Sequence, residues 1–251
     1  IKLLKIVRNP GNTYIITLLD DFIYKNVQYL VFEYMDINLY KFYKNYGKVL
    51  LKDEYKNIIL SIARGIQYMH SFNIIHGDLK PENIMINFEN KDTKIIDFGS
   101  SFLEKSHYTN FYIQSRYYRA PEVIYKINIG KEIDIWSYGC IIYELYVCYP
   151  LFNAKNENLL LHKFAEKIGI PYDDLEYYNT EIFHNNFIFS SKEKTFVRKI
   201  DNIYINKVDK NYLEKRLKDV FNNNYFTHNE KRNISDLILN IIKYNPKNRI
   251  L

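Results

Sequence analysis

The sequence has little cysteine: only Cys140 and Cys148 in 251 residues. A helix carrying both would separate them by about 12 Å of rise alone. That is beyond disulfide reach, so we expect reduced thiols in an intracellular protein, in cytoplasm or nucleus. Long apolar runs are also missing. The longest, Trp136 to Val147, is broken by Glu144 and too short to span a bilayer, and no signal-peptide pattern is present; we expect no membrane partner. Charge of one sign is not in excess either. The 35 Lys and Arg against 29 Asp and Glu leave +6, scattered along the chain, which favours a solvated basic surface over a nucleic-acid patch. Glycine is sparse at the start. Only Gly11 and Gly47 precede Gly65, which excludes a G-x-G-x-x-G phosphate loop from that stretch.

What is present reads as a globular chain with ample core, 47% hydrophobic and 25% charged. At 251 residues it is long for one domain and short for two. Ile1 to Val7 reads as the end of a helix stopped by Asn9-Pro10-Gly11-Asn12. Residues 13–24 and 27–34 read as strands around a turn at Tyr24-Lys25-Asn26, and 38–46 as a short helix closed by Gly47. From Asp53 the stripe Tyr55, Ile58, Ile59, Ile62, Ile66, Met69 predicts a long amphipathic helix. Residues 131–147 are apolar almost all round and predict a central buried helix. Further helices are expected at 156–168 and 233–243. The segment 171–230 is polar, aromatic and without period, and Asn222-Asn223-Asn224 reads as loop.

The stretch NIIHGDLKPENIMI, residues 73–86, places His76, Asp78, Lys80, Glu82 and Asn83 between two Ile-rich runs that read as buried strands. A loop so placed holds an acid, a base and an amide at a fixed position. Another short apolar run, 94–96, leads into Asp97-Phe98-Gly99. Ala120-Pro121-Glu122, Asp134-Ile135-Trp136-Ser137-Tyr138-Gly139 and Arg249 follow in order.

H-x-D-x-K-x-x-N followed by D-F-G and A-P-E is the order of the protein-kinase signature, and the chain resembles the catalytic domain of eukaryotic protein kinases. DFGSS, YIQSRYYRAPEV and HGDLKPEN are similar to the dual-specificity tyrosine-regulated and homeodomain-interacting kinases of the CMGC group. The resemblance covers essentially the whole chain, loosely over 171–230. It implies an α+β, protein-kinase-like fold over 1–251, with a remnant of the small β-rich N-lobe at 1–34 and a mainly helical C-lobe at 35–251. It further implies ATP and Mg²⁺ as cofactors, and protein substrates with Pro after the phosphorylated residue.

The resemblance also assigns roles. Asp78 would orient the substrate hydroxyl and take its proton, and Lys80 would neutralise the γ-phosphate. Asn83 and Asp97 are oxygen ligands of the kind Mg²⁺ requires. His76 and Phe98 would pack in a shared hydrophobic spine. Glu122 and Arg249 would form a buried ion pair, and Asp134 would brace the catalytic loop. Phe32 would guard the adenine pocket, Glu33 and Met35 would meet adenine through backbone groups, and Met85 would floor the pocket. Gly77 stands where most kinases carry an Arg that grips a phosphate. In the resembled family, activation relies instead on a phosphotyrosine gripped by two arginines, here Tyr112 with Arg116 and Arg119. The family's second tyrosine position is Asn110, and Tyr108 is a weaker candidate.

The Gly-rich loop, the strand with the ATP-binding Lys, and the family's final helix are not found in the sequence, whose first residue is Ile. The intact set Asp78, Lys80, Asn83 and Asp97 leads us to expect a partial sequence of an active kinase. The alternative is a truncated pseudokinase or scaffold that binds proteins without catalysis.

Overall fold

Helix α3 (Lys52–Ser71) is built on the expected stripe: Tyr55, Ile58, Ile62, Ile66 and Met69 are buried, and Asp53 and Glu54 lie in its first turn, where acidic groups suit the helix dipole. Its buried face packs on α5 (Glu132–Val147), in which every residue from Ile133 to Tyr146 is buried. Such a helix has no polar face because elements cover it on all sides. Helix α8 (His228–Ile241) closes another side, and Gly139 permits the approach. A Cβ there would lie 2.5 Å from Ile241 Cγ2 and 2.8 Å from Ile242 Cδ1, closer than packed carbons tolerate.

A computed structural model describes residues 1–8, 13–46, 52–89, 92–105, 112–170, 178, 180–193, 195–205 and 226–250. The expected stops at Asn9–Asn12 and Gly47, the loop at 222–224, and Asn110 and Tyr108 lie outside them. Helix α1 (Lys2–Val7) precedes an antiparallel hairpin of β1 (Leu18–Tyr24) and β2 (Val27–Phe32). Lys25 and Asn26 make its turn, both at positive φ, as a two-residue hairpin loop requires. β3 (Ile37–Asn38) leads into α2 (Leu39–Tyr46) and joins β5 (Ile84–Ile86) and β6 (Thr93–Ile95) in an antiparallel sheet ordered β3-β5-β6. β4 (Ile74–Ile75) pairs with β7 (Phe102–Leu103). After the short α4 (Pro121–Ile124) and α5 come α6 (Glu157–Ile168) and α7 (Glu181–Asn186). β8 (Phe187–Ser190), β9 (Thr195–Arg198) and β10 (Tyr204–Ile205) then form a second three-stranded antiparallel sheet. Strands thus dominate the N-terminal part and helices the C-terminal part, a mixed α+β fold.

Three boundaries differ from the expectation. The first strand begins at Leu18, because the residues before it turn to another partner: Ile15 bridges Ile95 in parallel, with Ile16 N donating to Ile95 O at 3.0 Å. The second ends at Phe32. The last helix begins at His228, capped by Thr227 and Glu230 in a reciprocal capping box. The stretch 180–205 holds a helix and a sheet where no period was legible, because each strand is too short to show one.

The main core surrounds α3, α5, α6 and α8. A smaller cluster of Leu4, Ile16, Leu18 and Met35, with Met85, Ile96 and Phe98 packed against it, lies beside the loops that carry the polar motifs.

Candidate active site

The loop between β4 and β5 hangs from one buried carboxylate on α5. Asp134 accepts hydrogen bonds from His76 N at 2.8 Å and Gly77 N at 3.0 Å, and His70 Nε2 lies 3.0 Å from the same group. Three donors satisfy a charge that burial would otherwise penalise. Gly77 has φ +74, and a Cβ there would lie 2.9 Å from Ser100 O. Glycine thus meets both a left-handed backbone and a close approach to the neighbouring loop.

His76, fully buried, ties the two motif loops together. Asp78 N donates to its Nδ1 at 3.2 Å, so the neutral ring carries its hydrogen on Nε2 and donates to Ile96 O at 2.9 Å. Its ring meets Phe98 edge-on with centroids 5.4 Å apart. Ile96 N donates in turn to Asn83 O at 2.9 Å. The residue before Asp97 is therefore bonded both to His76, two positions before Asp78, and to Asn83.

Three residues donate hydrogen bonds to Asp78. Lys80 Nζ donates to Oδ2 at 2.6 Å, Ser115 N to Oδ1 at 2.8 Å, and Asn83 Nδ2 to the Asp78 carbonyl at 2.9 Å. Lys80 Nζ also donates to Ser115 Oγ at 3.0 Å. Asp97 is exposed at φ 61, ψ 76, and accepts a hydrogen bond from Gly99 N on one oxygen. Asn83 spends its amide hydrogens on Asp78, and its carbonyl oxygen has the chemistry to ligate a hard cation; the Asp97 carboxylate has it too. Among the described residues no group of three or more His, Cys, Asp or Glu could hold a metal. A divalent ion here would draw its remaining oxygens from a bound phosphate and water, a donor set that fits Mg²⁺.

Met35 and Met85 belong to the small apolar cluster with Ile16 and Leu18. Glu33 N donates to Thr17 O at 3.2 Å, so that N–H is already engaged. The side chain is occupied as well. Both carboxylate oxygens accept from Lys94 Nζ at 2.7 Å, and one accepts from Thr17 N at 2.7 Å. Partial burial pushes this carboxyl up, but the Lys94 and Thr17 hydrogen bonds outweigh it and hold the pKa below the usual value.

Glu122 and Arg249 form a bidentate buried pair at 2.5 and 2.7 Å. Tyr112 is 74% exposed, with the Arg119 guanidinium 4.9 Å from its ring centroid. Arg116, Arg119 and Tyr112 line one pocket of about 320 Å³ with Asn156, Glu157 and Asn158.

Sequence reasoning missed several residues at this site. Ser115 holds both Asp78 and Lys80. Gln114, at φ 62, donates its N–H to Gly77 O at 2.9 Å and its side-chain amide to Ile133 O and Ser137 Oγ; its carbonyl accepts from Arg119 Nε at 3.1 Å and Nη2 at 2.7 Å. Lys94 and Glu144 were missed too. Glu144, on α5, accepts from the Tyr43 hydroxyl and from Tyr118 Oη at 2.7 Å. Burial raises its pKa, against the two tyrosine hydrogen bonds. Only Glu144 left a trace in the sequence, as the one charge inside an apolar run.

The family described as "Protein kinase domain" matches residues 1–251. The "Probable dual specificity protein kinase YAK1 homolog" of Encephalitozoon cuniculi is 45% identical over 154 residues, 61% of this chain and 38% of that protein. "Dual specificity tyrosine-phosphorylation-regulated kinase 2" of Drosophila melanogaster is 40% identical over 165 residues, 64% of this chain and 22% of that protein. "Homeodomain-interacting protein kinase 4" of Mus musculus is 36% identical over 179 residues, 68% of this chain and 29% of that protein. The match thus spans well under half the length of each of these relatives. No helix among the described residues is long and apolar enough to cross a membrane.

Proposed function

The chain belongs to the protein kinase domain family, and on that premise we propose that it transfers the γ-phosphate of ATP to serine or threonine hydroxyls of protein substrates. The observation that carries this reading is the cluster at Asp78, where Lys80, Asn83 and Ser115 all bond to the same residue. Phosphoryl transfer asks the protein for positioning and charge stabilisation more than for covalent chemistry. Asp78, oriented by Ser115 N and Lys80, receives the hydroxyl proton of the substrate. Lys80, anchored between Asp78 and Ser115, supplies positive charge beside the transferring group. Asn83 and Asp97 would hold Mg²⁺, which when bound would neutralise phosphate charge. The Glu33 carbonyl and the Met35 backbone would receive adenine, with Met85 beneath it.

Gln114 supports a preference for Pro after the phosphorylated residue. Its carbonyl, adjacent to Ser115 and so to Asp78, is already filled by the Arg119 guanidinium. A substrate residue placed there would leave its N–H unpaired, and Pro has none. Tyr112, beside Arg116 and Arg119, is the proposed site of regulatory phosphorylation.

An assay with ATP, Mg²⁺ and a protein substrate tests the reading, wild type against Asp78→Asn. Transfer by the wild type that is lost in the variant is expected. Equal incorporation in both would exclude the catalytic reading. No transfer by either, with no nucleotide-dependent rise in melting temperature, would favour the non-catalytic scaffold.

A further inference from the structure

Arg119 is 4% exposed and its guanidinium is divided between two acceptors. Nε and Nη2 bond the Gln114 carbonyl, while Nη1 reaches Glu157 Oε1 at 2.5 Å. Glu157 sits in the first turn of α6, which Asn156 caps by accepting from Leu159 N at 2.9 Å. Its side chain is 49% exposed, so it can leave for water at little cost. The Tyr112 ring lies 4.9 Å from the same guanidinium and lines the same pocket as Glu157. Arg116 adds a second cation, and its Nε is buried with no hydrogen-bond partner among the described residues.

We propose that Glu157 is an internal stand-in for phosphate, a carboxylate that occupies Arg119 until a phosphate on Tyr112 displaces it. The inference rests on the reading of Tyr112 as the regulatory tyrosine. Phosphorylation there forms a P–O bond to the phenol oxygen, breaks the β–γ bridge of ATP, releases ADP and passes the phenol proton to solvent. The new group carries a charge of about −1.5 to −2 and three acceptor oxygens, against a single negative charge on Glu157. Two guanidiniums satisfy the phosphate better than they satisfy one carboxylate. Once phosphate is in place, Glu157 becomes a like-charge neighbour and is pushed out. The contact thus keeps Arg119 engaged in the unmodified chain, and it sets how firmly the modified tyrosine is held.

The test uses the chain made with phosphotyrosine encoded at 112, as wild type, Glu157→Gln and Glu157→Ala. The readout is the rate of phosphate release by a broad-specificity tyrosine phosphatase, with denatured chain as the unprotected reference. We expect the folded wild type to be protected, and both variants to be protected about five-fold or more beyond it, the lower end of usual coupling between sites. Equal protection in wild type and both variants would overturn the role of Glu157 while leaving Tyr112 as the regulatory residue. No protection in any folded chain would overturn both. Matching melting temperatures of the unmodified proteins would show that the variants fold, and the two substitutions guard against an effect peculiar to either.

Discussion

Glu122 and Arg249 stand 127 positions apart in sequence and meet as a two-pronged ion pair from which water is excluded. Arg249 also donates to the carbonyls of Glu132, Lys243 and Tyr244, and its guanidinium lies 5.0 Å from the Trp136 ring centroid. The pair therefore ties α4, the start of α5 and the end of the chain into one unit. Glu122→Ala leaves a buried guanidinium without its counter-charge and should cost about 3–5 kcal/mol, whereas replacing both partners by apolar groups of similar volume should cost far less. Denaturant unfolding of the two single variants and the double variant measures this. Additive losses would refute the coupling.

Glu144 poses a different problem, since its counter-groups are neutral. Tyr43 and Tyr118 donate to it from α2 and from the segment before α4. Burial first, and the neighbouring Glu144 charge with it, push the Tyr118 hydroxyl above its usual value, so the phenol stays protonated as a donor. Tyr118→Phe removes one donor from a buried carboxyl and should destabilise by about 1–3 kcal/mol. Glu144→Gln should be milder near neutral pH. Because the Glu144 pKa is raised in the folded state, its contribution favours folding at low pH and is lost as pH rises through the folded value. Glu144→Gln should abolish that component, as measured by stability against pH.

The helical frame was legible because α3 and α5 carry strong, opposite patterns: one clean stripe, and one segment with no polar face. The motif loops were legible because their residue types are fixed by chemistry. What escaped was whatever depends on backbone geometry or distant partners. Gln114 acts through its carbonyl, a positive φ and side-chain bonds to Ile133 and Ser137, which lie 19 and 23 positions away, and none of these shows in the local sequence. Lys94 sits in a strand where a lysine reads as solvent-facing, yet it is 5% exposed and spans to Glu33. The sheet β8-β9-β10 is assembled from strands of four, four and two residues, too short to establish alternation.

Lys94 and Glu33 yield a prediction with a definite sign. The Glu33 carboxyl titrates below its usual 4.5 in the folded chain. A depressed carboxyl contributes stability above its unfolded-state pKa and loses it as pH falls through the folded value. Lys94→Met should therefore cost stability at neutral pH, on the order of 1–3 kcal/mol for a lost charge-assisted hydrogen-bond pair. The loss should shrink as pH drops below about 4.5. Urea melts at several pH values measure it. A loss that stays constant across the acid range would mean that the lysine acts by packing alone.

The Gln114 carbonyl gives the sharpest test of substrate choice. Its two bonds come from the fork of Arg119, Nε at 3.1 Å and Nη2 at 2.7 Å, and only a planar guanidinium can supply both at once. Lysine keeps the charge but has a single nitrogen, so Arg119→Lys should free the carbonyl to accept an N–H from a bound peptide. The expected result is a fall of about ten-fold in the kcat/KM ratio for a Ser-Pro over a Ser-Ala peptide, the effect of roughly one hydrogen bond. The change should come mainly from faster turnover of the Ser-Ala peptide, since a loss confined to the Ser-Pro peptide would indicate general damage to the site. An unchanged ratio in a variant that melts like the wild type would show that the filled carbonyl has no part in selecting proline.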